Sequence, residues 1–184
     1  MPQISISKDI DAAFLAEIAI LGNAWGSIVN ENDQTFAFET AKFDAVEQAL
    51  IDYPERYLHH RKMQKLEQLA EIRKTHEMNG PQGLYLDDKT VQRLTAAAVG
   101  LLIDTARETV RWELTRGVFV TFTRQQVLGL AALAVGHVQA CFDNVFEKTE
   151  SIKAVALVAE DPTPLATALA ALESVDLTTG WPTP

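Results

Sequence analysis

Two strand patterns and one helix pattern occupy the first part of the chain. From Ile4 to Ser7 apolar and polar side chains alternate, which predicts a short half-buried strand. Apolar side chains then recur at helical spacing between Phe14 and Leu21. The stretches Ser27 to Val29 and Thr35 to Phe38 flank a polar loop, and this arrangement predicts that they pair as a hairpin.

A helical pattern resumes at Phe43 and is divided by Pro54. Proline lacks the amide hydrogen that a helix interior needs and disfavours helical backbone in the residue before it. We therefore expect a second helix, rich in charge, from Glu55 to Thr75. Its apolar seam is narrow and consists of Met63, Leu66, Leu69, Ala70 and Ile72. Such a seam is typical of a helix packed along one line, as in a coiled coil or connecting rod, although a surface helix on its own domain shows the same pattern.

A turn signal at Asn79-Gly80-Pro81 ends the charged helix and marks the best domain boundary. Beyond it, Leu84 to Leu86 has the character of a short strand. Asp87 or Asp88 can cap a helix that we expect to end near Glu108. Its apolar face carries Val91, Leu94, Ala98, Leu101 and Leu102.

A hairpin and a capping signal follow. Alternating apolar side chains from Val110 to Leu114 and from Val118 to Phe122 flank a turn that contains Gly117, which predicts a β-hairpin. Thr123, with Gln126 three residues later, forms a capping-box pattern and predicts the start of a helix.

The chain ends in helical patterns. The capping box opens a long apolar face from Val127 to Val145, and helical stretches follow from Ser151 to Val158 and from Thr163, with Pro164 in the favourable first turn. Together the patterns predict a helix-dominated α+β fold with one hairpin in its carboxy-terminal domain. The predicted domains are an amino-terminal attachment or docking module (1–54), a connecting helix (55–78) and a carboxy-terminal helical domain (79–184).

Composition narrows the possible partners. A chain of 184 residues with a formal charge of −9 is unsuited to neutralising phosphates, so we expect no nucleic acid partner. Cys141 is the single cysteine, which indicates synthesis in a reducing cytoplasm without a disulfide framework. The amino terminus lacks the pattern of a secretory signal, and the apolar runs are too short for a membrane span, so we expect no membrane partner.

No residue pattern predicts catalysis, a cofactor or a metal. His137 and Cys141 lie one helical turn apart, but two ligands do not make a zinc site, and the pattern favours a buried cysteine that packs as a small hydrophobe. The pair His59-His60 predicts a polar patch that is exposed to solvent. Asp87 and Asp88 beside Asp104 and Glu108 could form paired acids, but helix capping explains the first two, and acid–base work needs a geometry that the sequence does not show.

The carboxy-terminal two-thirds resembles a family of domains of unknown function carried by small proteins encoded beside bacteriophage tail-fibre genes. The resemblance runs from Leu66 to Pro182 and rests on the joint order of several short marks. These are Glu71-Ile72-Arg73, the loop and short strand near Gly83 to Asp88, Ala96-Ala97-Ala98, Trp112, Phe119 to Thr123, His137 to Cys141, Leu172 to Asp176, and Gly180-Trp181-Pro182.

The resemblance implies a non-enzymatic structural protein of a phage tail, attached to the tail fibre or baseplate and located in the virion tail. It offers no catalytic residues. A fibre-assembly chaperone absent from the mature particle is the alternative, while a small phage hydrolase or a ligand-binding module with an apolar cavity between its helices is more remote. A homo-oligomer such as a trimer is a further expectation.

The candidate interface residues combine the helix seam with aromatic anchors. Tryptophan is concentrated in binding hot spots, and a thin seam suits self-association. The candidates are Met63, Leu66, Leu69, Ile72, Trp25 and Trp181.

Overall fold

Helices dominate the fold, which confirms the predicted helix-dominated α+β class. The computed structural model describes residues 3–7, 10–11, 14–15, 35–39 and 43–184. The strands are β1 (Gln3–Ser7), β2 (Thr35–Glu39), β3 (Thr109–Thr115) and β4 (Val118–Thr123). The helices are α1 (Phe43–Met78), α2 (Asp88–Ile103), α3 (Arg124–Ala154) and α4 (Pro164–Ser174).

The strand predicted at the amino terminus is confirmed as β1. It pairs antiparallel with β2, and Ile4 lies opposite Phe38. The predicted partner of β2, the stretch Ser27 to Val29, lies outside the described residues. Phe14 and Leu15 are helical as predicted, and the remainder of that predicted helix also lies outside the described residues.

The predicted break at Pro54 is wrong, because α1 continues through it from Phe43 to Met78. Packing explains the continuity. Val46, Ala49 and Tyr53 lie on one face of α1 before the proline and are buried together with Leu15. The burial of this face fixes the helical backbone up to Pro54 and outweighs the loss of one backbone hydrogen bond.

The strand predicted at Leu84 to Leu86 is also wrong. Tyr85 forms only an isolated antiparallel bridge with Asn79, after a single 3-10 turn at Pro81–Gly83. The amide of Gly80 donates to the Leu84 carbonyl at 2.8 Å, which closes a tight loop rather than starting a sheet.

Helix α2 begins as predicted but ends earlier. The Asp87 carboxylate accepts a hydrogen bond from the Thr90 amide at 2.7 Å, which confirms its capping role. The predicted end near Glu108 is wrong, because α2 ends at Ile103. There the Asp104 carboxylate accepts from the Ala106 amide at 3.2 Å, and Arg124 donates to the Asp104 carbonyl, also at 3.2 Å. These side-chain bonds replace the next helical turn.

The hairpin and the capping box are confirmed. Strands β3 and β4 pair antiparallel across a turn at Gly117, whose φ is +83°. The Thr123 amide donates to Gln126 Oε1 at 2.8 Å, and the Gln126 amide donates to Thr123 Oγ1 at 3.2 Å. The reciprocal pair opens α3, which continues to Ala154. The helical stretch predicted from Ser151 to Val158 is confirmed only as far as Ala154, because residues 155–158 are not helical.

The chain divides into two compact units that are not continuous in sequence. The amino-terminal unit comprises Met1–Gln64 and Val155–Glu173, and the carboxy-terminal unit comprises Lys65–Ala154 and Ser174–Pro184. In the first, Leu165 of α4 packs against the buried residues of α1. In the second, buried side chains of α2, β3 and α3 form the core: Leu94, Leu101, Val110, Val127 and Ala134, together with Leu86. Each unit contains residues from more than one of the three domains predicted from the sequence.

Candidate interaction surface

The predicted interface residues lie in different surroundings. On α1, Met63 is 44% exposed, whereas Leu69 is 1% exposed and belongs to the interior of the chain. Leu66 and Ile72 are half-buried. Trp25 lies outside the described residues. The part of the seam at Leu69 is therefore already covered by this chain, and Met63 is the most exposed of the candidate interface residues that the structure describes.

Trp181 is held within the chain. Its ring stacks on His76 of α1 with centroids 4.7 Å apart and planes within 2° of parallel. Its indole Nε1 donates to the Leu177 carbonyl at 2.8 Å. The side chain remains half-buried, so an intermolecular role for it stays a prediction.

A line of polar side chains on the buried face of α3 holds this carboxy-terminal segment. His137, Cys141, Asn144 and Lys148 recur at spacings of four, three and four and are all buried. Lys148 Nζ donates to the Asp176 carbonyl at 2.6 Å, and Asn144 Nδ2 donates to the Thr179 carbonyl at 3.3 Å. We call residues 176–181 the carboxy-terminal clasp, because these bonds fasten them to α3.

The Asp176 carboxylate is hydrogen-bonded to other residues of the clasp. Its carboxylate accepts hydrogen bonds from the Thr178 amide, the Thr178 hydroxyl and the Thr179 hydroxyl, each at 2.7 Å. The hydroxyls of Thr178 and Thr179, the Thr178 amide and the charge of Lys148 hold the pKa of Asp176 below its usual range. The clasp is thus built around an ionised carboxylate.

His137 and Cys141 belong to the interior of the chain. His137 Nε2 donates to the His76 carbonyl at 2.8 Å and lies 3.9 Å from the Cys141 sulfur. Burial raises the pKa of Cys141 to about 11, with a further rise from Glu77 and an opposing effect of Arg73. The interpretation of Cys141 as a buried small hydrophobe is confirmed. Among the described residues, no group of three or more His, Cys, Asp or Glu side chains could hold a metal ion.

Asp87 and Asp104, two of the acids singled out in the sequence, lie at opposite ends of α2. Asp87 caps the start of α2 and Asp104 follows its end. The helix between them places them about 25 Å apart, at 1.5 Å per residue. No acid–base pair can form across that distance.

The histidine pair in α1 is only partly solvated. His59 is exposed, whereas His60 is half-buried and its ring lies 4.8 Å from that of Phe14. Beside it, the Tyr53 hydroxyl accepts a hydrogen bond from the Asp11 amide at 2.7 Å. Burial raises the pKa of Tyr53 to about 12 despite that bond. Of the predicted polar patch, only His59 is exposed to solvent, whereas His60 packs against an aromatic ring.

An apolar groove runs between α2 and α3. Val91, Leu94 and Thr95 line one side, and α3 supplies residues that include Ala131, Val135, Val138 and Phe142. Its volume is about 160 Å³, close to a cavity of about 150 Å³ that admits benzene. Ligand pockets usually measure about 300–1,000 Å³, so the groove suits one side chain better than the ligand of a binding module.

The groove continues into an exposed apolar stripe on α3. Val135 is 62% exposed, Phe142 44% and Phe146 68%. By length and composition alone α3 could cross a membrane, yet only 22% of its most apolar 18-residue window is buried in the chain. A helix face this apolar and this exposed is typical of a surface that binds another molecule.

Arg73 lies over the ring of Phe142, which lines the groove. Its guanidinium carbon lies 4.0 Å from the centroid of the Phe142 ring, a cation–π contact. Arg73 Nε also forms an ion pair with Glu77 at 2.7 Å. The Phe142 ring is thereby held in place at the groove.

The sequence does not predict the clasp, and it does not favour an open groove over a filled core between the two helices. A signal for the clasp was present, since polar residues recurring at heptad spacing on the apolar face of α3 need buried hydrogen-bond partners. The carbonyls of a loop are such partners, but their position in the chain cannot be read from the spacing. The groove had no signal, because the apolar faces of α2 and α3 predict packing without showing how much of each face stays open.

The chain belongs to the family described as "Domain of unknown function (DUF4376)", whose model matches residues 60–173. This description states no function and no viral context. No curated protein and no solved structure matches the chain.

Proposed function

We propose that this member of the DUF4376 family is a non-enzymatic bacteriophage tail protein that attaches to a tail-fibre or baseplate protein. The observation that carries the proposal is the groove between α2 and α3 with the exposed stripe of Val135, Phe142 and Phe146. The tail context comes from the resemblance of Leu66 to Pro182 to proteins encoded beside tail-fibre genes.

Burial of the stripe would drive the attachment. Removing one large apolar side chain from water contributes about 1.5–3 kcal/mol when its burial is complete. Phe146 and Val135 are largely exposed in the free chain, so most of that gain is still available to a partner. A partner that covers the groove and stripe therefore gains affinity without unfolding either unit.

The proposal is tested by mass spectrometry of purified particles of the phage that encodes this chain. We expect a fixed, small copy number relative to the major tail protein. Presence in lysates with immature fibres, but absence from particles, would instead indicate an assembly chaperone that covers the same surface transiently. No association with particles or fibres would refute the tail role.

A matched pair of variants links the role to the surface. Phe146→Ser removes an exposed ring from the stripe, whereas Phe119→Ser removes a similarly exposed ring, at 58%, from β4. We expect Phe146→Ser to lower the copy number in particles and Phe119→Ser to leave it unchanged. Equal loss in both variants would show that the stripe is not the attachment surface.

A further inference from the structure

We infer that the groove between α2 and α3 binds an amphipathic helix of the partner that carries basic side chains beside its apolar anchors. This inference deepens the proposed docking role and rests on it. It names the chemistry of the partner segment, which the resemblance does not supply.

The shape of the site suits a helix. The Arg124 side chain at the start of α3 bonds the Asp104 carbonyl after the end of α2, so the two helices run in opposite directions beside the groove. A groove between two packed helices accepts a third helix whose side chains at every third or fourth position enter it. The volume of about 160 Å³ accommodates one large anchor side chain.

The charges at the groove are acidic. One row of side chains along α2 includes the groove residue Thr95 and consists of Asp88, Gln92, Thr95 and Val99. The corresponding row along α3 includes the groove residue Gln139 and consists of Gln139, Asp143, Phe146 and Glu150. Asp88, Asp143 and Glu150 are exposed, and neither row contains lysine or arginine.

The nearby cations do not cancel this charge. Arg73 is paired with Glu77 at 2.7 Å, and Lys153 pairs with Glu150 at 3.0 Å. Lys89 and Arg93 lie on the opposite side of α2 from Val91 and Thr95 by helical periodicity. Asp88 and Asp143 therefore give the groove a negative rim, which complements lysine or arginine on an incoming helix.

The same charges disfavour two other occupants. A second copy would bring an identical acidic rim and a formal charge of −9 against this one. An anionic lipid surface would be repelled by Asp88 and Asp143 in the same way. A basic helix of another protein gains from both the apolar stripe and the rim.

Fluorescence anisotropy with labelled model peptides tests the inference on the full chain. The probe is an amphipathic helix of leucine and lysine, about 15–18 residues long so that it can form a helix. The matched peptide carries glutamate in place of lysine. We expect the lysine peptide to bind roughly tenfold or more tightly, with the difference shrinking as salt is raised.

Variants locate the binding surface. Val135→Lys places a cation in the groove, and Leu133→Lys places one on the opposite side of the same helix, where the side chain is 43% exposed. We expect Val135→Lys to weaken binding of the lysine peptide roughly tenfold and Leu133→Lys to leave it within about twofold. Asp143→Asn should reduce the salt dependence while leaving the apolar contact in place.

Several outcomes would overturn the inference. These are equal binding of both peptides, equal effects of the two lysine variants, or no binding by the wild-type chain. Self-association abolished by Val135→Lys would make a second copy the occupant, and binding to anionic vesicles lost in that variant would make it a membrane. Peptide binding is measured without phage, so its failure is distinct from absence of the chain from particles.

Discussion

Gly180 shows at the scale of one residue how the clasp depends on close approach. Its φ is +81°, and a Cβ atom there would lie 2.6 Å from Asn144 Oδ1. Asn144 is buried and donates to the Thr179 carbonyl, so its amide cannot turn away without breaking that bond. Glycine is therefore required at position 180 for two reasons, the backbone conformation and the space.

We predict that Gly180→Ala lowers the free energy of unfolding by about 2–4 kcal/mol, as the sum of left-handed strain and overpacking. Gly83→Ala is the matched control, because its φ is +74° but nothing lies within 4 Å of the added Cβ. It should cost only the strain, about 1–2 kcal/mol. Urea unfolding measures both.

A second substitution separates the two causes. In the Gly180→Ala background, Asn144→Ala removes the atom that the new methyl group meets. We expect the double variant to be more stable than the sum of the two single losses predicts, because neighbouring sites couple. Strict additivity would mean that the contact at Asn144 plays no part.

At the scale of elements, signals contained within a few residues were read correctly from the sequence. The capping box of Thr123 and Gln126, the hairpin turn at Gly117 and the start of α4 at Pro164 all depend on neighbouring residues. The predictions at Pro54 and at the end of α2 were wrong because contacts with distant residues decide the structure there. Burial of the face that contains Tyr53 overrides the proline, and a side chain twenty residues away, Arg124, bonds the Asp104 carbonyl.

We predict that Pro54→Ala raises the free energy of unfolding by about 1–3 kcal/mol. Alanine restores the amide hydrogen inside α1 and removes the steric conflict of the ring with the preceding turn. Pro164→Ala is the matched control, since Pro164 occupies the first turn of α4, where proline is favourable. That variant should be neutral or slightly destabilising. A lower stability for Pro54→Ala would show that the ring itself is needed in α1.

At the scale of the whole molecule, the parts that the sequence could not reveal are joined over long separations. His137 and His76 are 61 positions apart, and Asn144 and Thr179 are 35 apart. The burial of Cys141 could be predicted from the apolar face of a single helix. The hydrogen-bond partners of its polar neighbours His137 and Asn144 could not, because they lie in other segments of the chain. The candidate surface was unpredictable for the same reason, because an open groove is what remains after all other faces have been paired.

The clasp also gives the carboxy-terminal unit a dependence on acid. The pKa of Asp176 is lower in the folded chain than the usual aspartate value of about 3.9 in an unfolded one. Its contribution to stability is therefore complete above about pH 4 and is lost as the pH falls below that value toward the folded-state pKa. Hydrogen exchange of residues 176–181, followed by mass spectrometry, should show protection that falls progressively as the pH is lowered below about 4. Asp176→Asn should show weaker protection at neutral pH and a smaller change on acidification. Asp161→Asn is the control, because it alters a carboxylate whose pKa is also lowered but which lies in the other unit. It should leave the protection of residues 176–181 unchanged. If Asp176→Asn retained the full acid response, the carboxylate could not be what fastens the clasp.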